Sequence, residues 1–236
     1  MINNLDLSDS LKFQYSVNKP FPHIIIDNFF NESILSHAIE ELKKFEDWGH
    51  DPTEYVKAHQ INKEFTPWNP DCYEHFKTVA PNASYVLNYL NSNITLNYLE
   101  NLTGIQNLLA DNSWMGAGIH RIHSGGKLDV HIDYNWHKHM EAHRRINLLL
   151  YLNKDWKKEW GGDLELWEKD LSRKSIEIAP IFNRVVIFNI TDEAYHGHPI
   201  PMTSPEGTSR YSFALYYFTK DRPQQEINPP HDVIWK

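Results

Sequence analysis

The chain has 236 residues, of which 41% are hydrophobic and 13% aromatic, enough to bury the core of one globular domain. Its net charge of −8 at pH 7 excludes a general nucleic-acid-binding surface, which needs clustered positive charge. The single cysteine, Cys72, excludes an internal disulfide. The chain shows neither a signal-peptide pattern nor an apolar run of membrane-spanning length. We therefore expect a cytoplasmic protein that binds neither nucleic acid nor a membrane.

Residues 1–112 are predicted to form a helical support segment with one N-terminal strand. "HIIIDNFF" at residues 23–30 is typical of a strand, and Asn31 is a suitable cap for the amphipathic helix that follows. Helical patterning returns over residues 84–104, where Gly104 is a stop signal. Residues 48–76 are aromatic-rich and irregular, which fits either a substrate lid or an ordinary surface loop.

Residues 113–220 are predicted to contain eight short strands separated by turn signals such as "HSGGK" and "KEWGGD". Helices do not alternate with these strands, so a doubly wound α/β fold fits poorly. We predict a mainly β fold with packed helices (α+β), namely a double-stranded β-helix (jelly roll, cupin-like) whose helices lie against one sheet. The whole chain, residues 1–236, is expected to be a single domain that ends in a C-terminal tail at residues 221–236.

The stretch "LDVHIDYNWHKHMEAH" at residues 128–143 contains four histidines and two chelating pairs. His131 and Asp133 form an HxD pair, and His137 and His139 form an HxH pair. Residues two apart in a strand face the same side, so His131 and Asp133 can present two ligands at one point. Fe(II) that activates O₂ takes two imidazoles and one carboxylate and keeps other positions open. HxD is also common in ordinary core and surface positions, so the motif alone leaves the question open.

Two downstream segments extend the HxD motif. "YHGHPIP" offers a third ligand, either His196 or His198, at a strand end. "RYSFALYYF" alternates and places Arg210 and Ser212 on one face. A buried arginine needs an anionic partner, and its guanidinium holds a carboxylate through two hydrogen bonds. The alternative is an edge strand with Arg210 in water.

The succession of "HID", "NLLLYLNKDWKKEWGGDLELW", "RVVIFNITDEAYHGHPIP" and "RYSFALYYF" resembles the Fe(II)/2-oxoglutarate dioxygenases of the prolyl 4-hydroxylase type over residues 116–220. The resemblance implies a double-stranded β-helix. It implies Fe(II) as the metal, 2-oxoglutarate and O₂ as co-substrates, and ascorbate as a candidate reductant. It also implies that a C–H bond is hydroxylated, in a prolyl residue of a protein or peptide, with release of succinate and CO₂.

The same resemblance assigns residues to roles. The metal ligands it implies are His131, Asp133 and His196. The residues implied to hold the far carboxylate of 2-oxoglutarate are Arg210, Ser212 and Tyr151. Asn147 and Leu149 share the strand face of Tyr151 and are expected to line the same pocket. The expected substrate contacts are Asn135, Trp136, Trp167 and Tyr216, of which the last two fit plain core packing equally well.

Some features depart from the family pattern or leave alternatives open. Ile122 stands where many relatives carry a tyrosine, a contact that His120 could supply instead. No catalytic role is assigned beyond the metal centre, and His137 and His139 are expected to be solvated or at most near the site entrance.

One rival function is hydroxylation of a free amino acid or small metabolite. The other is a cupin-like metal-binding or sensor protein without turnover.

Overall fold

The computed structural model describes residues 1–5, 7–48, 61–63, 70–114 and 116–236. Within these residues the chain forms helices in its first half and two antiparallel sheets. The α-helices are α1 (Asp9–Val17), α2 (Glu32–Lys44), α3 (Pro70–Val79), α4 (Pro81–Leu90) and α5 (Asn93–Thr103). Short 3₁₀ turns cover Lys158–Trp160 and Gln224–Glu226. No helix among the described residues combines the length and apolar character that crossing a membrane requires.

The strands follow the order of the chain. They are β1 (His23–Ile26), β2 (Ile61–Lys63), β3 (Leu109–Ala110), β4 (Gly118–Ile122), β5 (Leu128–Ile132), β6 (Trp136–His137), β7 (Ala142–Tyr151), β8 (Leu164–Trp167), β9 (Lys174–Ile178), β10 (Val185–Asn189), β11 (His196–His198), β12 (Arg210–Thr219) and β13 (Ile234–Trp235). All eight strands predicted in the second half are present, and turn or loop residues separate them.

The helix boundaries follow from local capping chemistry. The Asn31 side chain accepts a hydrogen bond of 3.0 Å from the Ile34 backbone N–H, so α2 begins where the sequence predicts. Gly104 ends α5 in the left-handed conformation, with φ of +76°. The helical pattern of residues 84–104 is divided between α4 and α5 by a turn at Asn91 and Ser92.

The larger sheet has eight strands, six of them in the order β1-β10-β7-β12-β4-β2, with β3 beside β12 and β6 beside β7. The helices bury their apolar stripes against one face of this sheet in a single large core. The other face meets the smaller sheet. Because both faces are covered, β12 is buried along its whole length, which explains its continuous apolar run.

The smaller sheet has five strands in the order β13-β5-β11-β8-β9. A second core fills the space between the two sheets and includes Leu166 from β8 and Phe188 from β10. The predicted jelly-roll architecture with helices on one sheet is therefore confirmed. The sheets also extend beyond residues 113–220, because β1 and β2 join the larger sheet and β13 joins the smaller one.

Candidate metal centre and co-substrate pocket

Two histidines and one aspartate converge between the sheets. His131 on β5 lies directly opposite His196 on β11 in the strand pairing, and Asp133 follows the end of β5. The ligand atoms of the three side chains all lie within 4.8 Å of one another, and all three side chains are buried. Asp133 Oδ1 is 3.6 Å from His131 Nε2, and Asp133 Oδ2 is 3.4 Å from His196 Nε2. The arrangement is that of a two-histidine, one-carboxylate facial site.

Backbone hydrogen bonds aim both imidazoles at the centre of this cluster. His131 Nδ1 lies 2.8 Å from the Asp129 carbonyl, and His196 Nδ1 lies 2.9 Å from the Ala194 carbonyl. A carbonyl oxygen can only accept, so each Nδ1 carries a proton, and in the neutral imidazole the Nε2 that faces Asp133 is then the atom with the lone pair. This is the tautomer that a metal ligand requires.

The ionisation states suit a divalent cation. Burial lowers the pKa of His196 to about 4, helped by the neighbouring His131, so the imidazole is neutral at pH 7. Burial by itself would raise the pKa of Asp133, but Arg144, His196 and His131 together outweigh it and hold the pKa below its ordinary value. The cluster thus presents a carboxylate and at least one neutral imidazole to a cation.

Arg144, which the sequence analysis did not identify, lies beside the metal cluster. Its Nη2 is 3.0 Å from Asp133 Oδ2, and its guanidinium lies 3.4 Å from the ring centroid of Tyr216. Asn147 links Asp133 to Arg144 by two hydrogen bonds. Its Nδ2 donates to Asp133 Oδ2 at 2.8 Å, and its Oδ1 accepts from Arg144 Nη2 at 2.8 Å. Asn147 was expected to line the 2-oxoglutarate pocket. It lines the same cavity, but its hydrogen bonds fix the position of the Asp133 carboxylate.

A β-bulge explains why strand alternation did not reveal Arg144. Ile146 pairs with Tyr217 of β12, but the next residue along β12, Phe218, pairs with Arg144 rather than Arg145. The extra residue reverses the face of the sheet to which the preceding side chains of β7 point, so Arg144 lies on the same face as Asn147, toward the metal cluster. Regular alternation would have placed Arg145 there.

The three residues expected to hold the far carboxylate of 2-oxoglutarate, here called the carboxylate clamp, lie close together. Arg210 is buried, and its Nε donates to the Gly162 carbonyl at 2.9 Å while its Nη2 donates to the Tyr151 hydroxyl at 3.3 Å. Ser212 lies opposite Tyr151 on the neighbouring strand and lines the cavity with Arg210. The Gly162 backbone has φ of +75°, and a Cβ there would lie 2.7 Å from Met202 Sδ and 3.2 Å from Arg210 Cδ. A side chain at position 162 would therefore strain the backbone and press on both Met202 and the Arg210 side chain.

The three ligand side chains and the Arg210–Ser212 part of the clamp line one cavity of about 370 Å³, here called the central cavity. Leu149 lines it as expected, and so does His120, the suggested substitute for the tyrosine missing at position 122. His198 also lines it, and both of its buried ring nitrogens have no hydrogen-bond partner among the described protein atoms. A buried imidazole without partners beside Arg210 indicates that a polar ligand belongs here. The donor set therefore fits Fe(II) and a dicarboxylate.

The four expected substrate contacts occupy different environments. Tyr216 lines the central cavity. Asn135 is buried and hydrogen-bonds residues 229–231 of the chain itself. Trp136 packs edge-on against His143, and Trp167 donates its Nε1–H to Glu165 at 3.0 Å. The cavity lining includes Tyr216 but not Asn135, Trp136 or Trp167, so the geometry favours only Tyr216 as a substrate contact.

Two further expectations need correction or fall outside the structure. His137 is buried rather than solvated, because its Nε2 lies 3.5 Å from the buried Asp111 carboxylate. His139 is exposed as expected. Most of residues 48–76, the suggested lid, lies outside the described residues. Val233 and Trp235, which no sequence pattern indicated, also line the central cavity from the C-terminal segment.

Comparison with known sequences agrees with the site geometry. A family model described as the 2OG-Fe(II) oxygenase superfamily matches residues 117–218, which contain the whole ligand cluster and the clamp. The chain is 24% identical over 215 residues to a prolyl 3,4-dihydroxylase, OGFOD1, of Ostreococcus tauri, with 86% of this chain and 39% of the relative aligned. It is 31% identical over 93 residues to the prolyl 3-hydroxylase OGFOD1 of Mus musculus, with 37% of this chain and 17% of the relative aligned. The chain thus spans well under half the length of these relatives.

Solved structures agree on the fold. One is a prolyl hydroxylase from Trichoplax adhaerens in complex with a hypoxia-inducible factor peptide, with a TM-score of 0.54, 19% identity and coverage of 89% of this chain and 88% of that one. Another is HygX from Streptomyces hygroscopicus with nickel and 2-oxoglutarate bound, with a TM-score of 0.58, 12% identity and coverage of 97% and 98%. The resemblance drawn from the sequence is therefore confirmed over residues 117–218, where the chain matches the model of the 2OG-Fe(II) oxygenase superfamily.

Proposed function

We propose that this chain is an Fe(II)- and 2-oxoglutarate-dependent dioxygenase that hydroxylates a prolyl residue of a protein or peptide and releases succinate and CO₂. One observation carries the proposal. The His131–Asp133–His196 cluster and the Arg210–Ser212 clamp line the same cavity of about 370 Å³. A metal site without turnover would not need a buried guanidinium beside it, because an unpaired buried charge is costly.

His131, Asp133 and His196 would hold Fe(II), which when bound supplies the O₂ activation that couples decarboxylation of 2-oxoglutarate to C–H hydroxylation. Arg210 holds the far carboxylate of 2-oxoglutarate by charge-assisted hydrogen bonds, and the Tyr151 hydroxyl orients the guanidinium. Asn147 and Arg144 fix the Asp133 carboxylate so that it cannot rotate away from the metal.

The prolyl substrate rests on the relatives and on the cavity lining. Both curated relatives are named as prolyl hydroxylases, and the Trichoplax structure holds a peptide. In this chain, Tyr134 and Tyr216 both line the cavity, and both rings contact the Arg144 guanidinium. Aromatic faces of this kind pack well against the compact apolar ring of proline.

The test is aerobic incubation of the Fe(II)-loaded protein with 2-oxoglutarate and two panels, one of blocked proline-containing peptides and one of free amino acids. We expect succinate in stoichiometric amounts with a peptide that gains one oxygen atom. His196→Ala and Arg210→Met should each abolish the signal, whereas the exposed-site control His139→Ala should not. Oxygen gain only in free amino acids would favour the metabolite alternative. No succinate above the His196→Ala background would contradict the enzyme proposal.

A further inference from the structure

Residues 229–236, here called the C-terminal strap, form part of the wall of the central cavity. The strap ends in β13, which pairs with β5 so that Ile234 lies opposite Ile132 and Trp235 lies opposite His131. The Lys236 backbone N–H donates to the Val130 carbonyl at 2.8 Å. The strap therefore occupies the edge of the smaller sheet next to the metal cluster, so an incoming peptide cannot add a strand there.

Three polar contacts anchor the strap before it reaches β13. The buried Asn135 side chain donates to the Pro229 carbonyl at 3.1 Å and accepts from the His231 backbone N–H at 3.0 Å. His231 Nε2 lies 3.2 Å from Asp192 Oδ1. Asn135 follows Asp133 by two residues, so the strap is attached to the same segment that carries two metal ligands. Its position relative to the metal centre is thereby fixed.

The side chains of the strap alternate between the cavity and solvent. Val233 and Trp235 line the central cavity, whereas Ile234 is exposed. The Trp235 indole lies against the His131 imidazole, with ring centroids 4.8 Å apart and an interplanar angle of 42°. The indole is therefore the aromatic surface that borders the metal cluster on the side of β5.

We propose that the C-terminal strap forms one wall of the substrate-binding site and that Trp235 is a specificity-determining residue. This proposal deepens the function proposed above and rests on it. Among the described residues, β13 closes the sheet edge beside the metal cluster and the indole lines the cavity there, so a substrate that approaches the metal centre along this side packs against the indole. The wall selects a compact apolar ring, such as that of a prolyl residue held in a peptide, over a free amino acid whose ammonium and carboxylate groups would face the indole.

The test compares Trp235→Ala, Trp235→Phe and the matched control Ile234→Ala, which alters the same strand on its solvent side. Blocked proline-containing peptides are titrated by calorimetry into each Fe(II)-loaded, 2-oxoglutarate-bound protein under argon. We expect Trp235→Ala to weaken peptide binding about tenfold, because an aromatic wall contributes on that scale. Trp235→Phe and Ile234→Ala should bind within about threefold of the parent.

The affinity for 2-oxoglutarate, followed by the visible absorption of its Fe(II) complex, should stay unchanged in all three variants. Unaltered peptide binding in Trp235→Ala would overturn the proposal. So would an equal loss of peptide and 2-oxoglutarate binding, because Trp235 would then act only by supporting His131. If Ile234→Ala weakened peptide binding as much as Trp235→Ala does, that would likewise overturn the proposal, since the effect would not depend on the side chain that faces the cavity.

A second measurement separates this proposal from the proposed function. Protein labelled with 5-fluorotryptophan gives one ¹⁹F resonance per indole, and Trp235→Phe identifies the resonance of Trp235. Co(II) bound at the cluster should broaden that resonance strongly, because the indole lies against a ligand ring. A broadened resonance in a protein that binds and oxidises no peptide would overturn the prolyl hydroxylase proposal but support the position of the strap. An unbroadened resonance would overturn the strap proposal itself.

Discussion

Replacing Arg144 by methionine removes the buried cation that holds Asp133. The Arg144 Nη2 to Asp133 Oδ2 distance is 3.0 Å, and both side chains are more than nine-tenths buried. At an effective dielectric constant of about 20, the attraction at this distance is on the order of 5 kcal/mol before the cost of burying both groups. Removing one partner of a buried pair costs about 3 kcal/mol or more, because the other charge stays behind without compensation.

The metal changes this cost in a predictable direction. A divalent cation at the cluster would neutralise Asp133 in the variant, so Arg144→Met should destabilise the metal-free protein more than the metal-loaded protein. For 236 residues, about 3 kcal/mol corresponds to a fall in Tm of about 6 °C. We expect the Tm of Arg144→Met to fall by this amount without metal, and by less than half of this amount with saturating Co(II).

Thermal unfolding of both proteins with and without Co(II) measures the difference directly. Arg145→Met is the matched control, because Arg145 is the adjacent residue of the same type. It bonds Thr219 and a half-exposed Glu226 instead of the metal cluster. Its effect should not depend on metal. Equal destabilisation of Arg144→Met with and without Co(II) would refute the electrostatic role assigned to Arg144.

Three further substitutions test other parts of the site and the fold. In Gly197→Ala the new Cβ would lie 2.8 Å from the Asp129 carbonyl, so β11 must move. Because β11 carries His196, the affinity for Co(II) should fall about tenfold or more. Unchanged affinity in a metal titration would contradict this. In Gly162→Ala the new Cβ would lie 2.7 Å from Met202 Sδ and 3.2 Å from Arg210 Cδ, so both side chains must shift. The KM for 2-oxoglutarate should rise about tenfold while Co(II) affinity stays constant, and an unchanged KM would count against the clamp. Burial lowers the pKa of His23 below its ordinary value of 6.5, so the unfolded chain takes up a proton that the folded chain does not. The free energy of unfolding should therefore fall as the pH drops below 6.5, and His23 should contribute at most about 1.4 kcal/mol per pH unit to this fall. In urea titrations, the free energy of unfolding of His23→Asn should fall less over the same pH range than that of the parent.

Local sequence patterns predicted the parts of the molecule that depend on local geometry. The alternation of "RYSFALYYF" placed Arg210 and Ser212 on one face, and the two-residue spacing of His131 and Asp133 placed both at one point. Asn31 and Gly104 marked helix ends correctly because capping involves only neighbouring residues.

Features that depend on long-range pairing were not predictable in this way. The bulge that turns Arg144 into the site arises from the register between β7 and β12. The two-residue strand β13 is stabilised by β5, about a hundred residues earlier in the chain, and nothing in "DVIWK" identifies that partner. Burial of His137 likewise depends on Asp111, which lies before the strand-rich half. In each case the decisive contact joins segments whose proximity only the folded chain defines.

The most direct test of the central claim follows the oxygen atoms. The Fe(II)-loaded protein is incubated with 2-oxoglutarate, a proline-containing peptide found in the screen, and ¹⁸O₂ in unlabelled water. A 2-oxoglutarate-dependent hydroxylase incorporates one atom of each O₂ molecule into succinate and the other into the hydroxylated peptide. We predict ¹⁸O in both products, in equal amounts, and in neither with His196→Ala. Hydroxylated peptide without ¹⁸O, or without matching labelled succinate, would contradict the account.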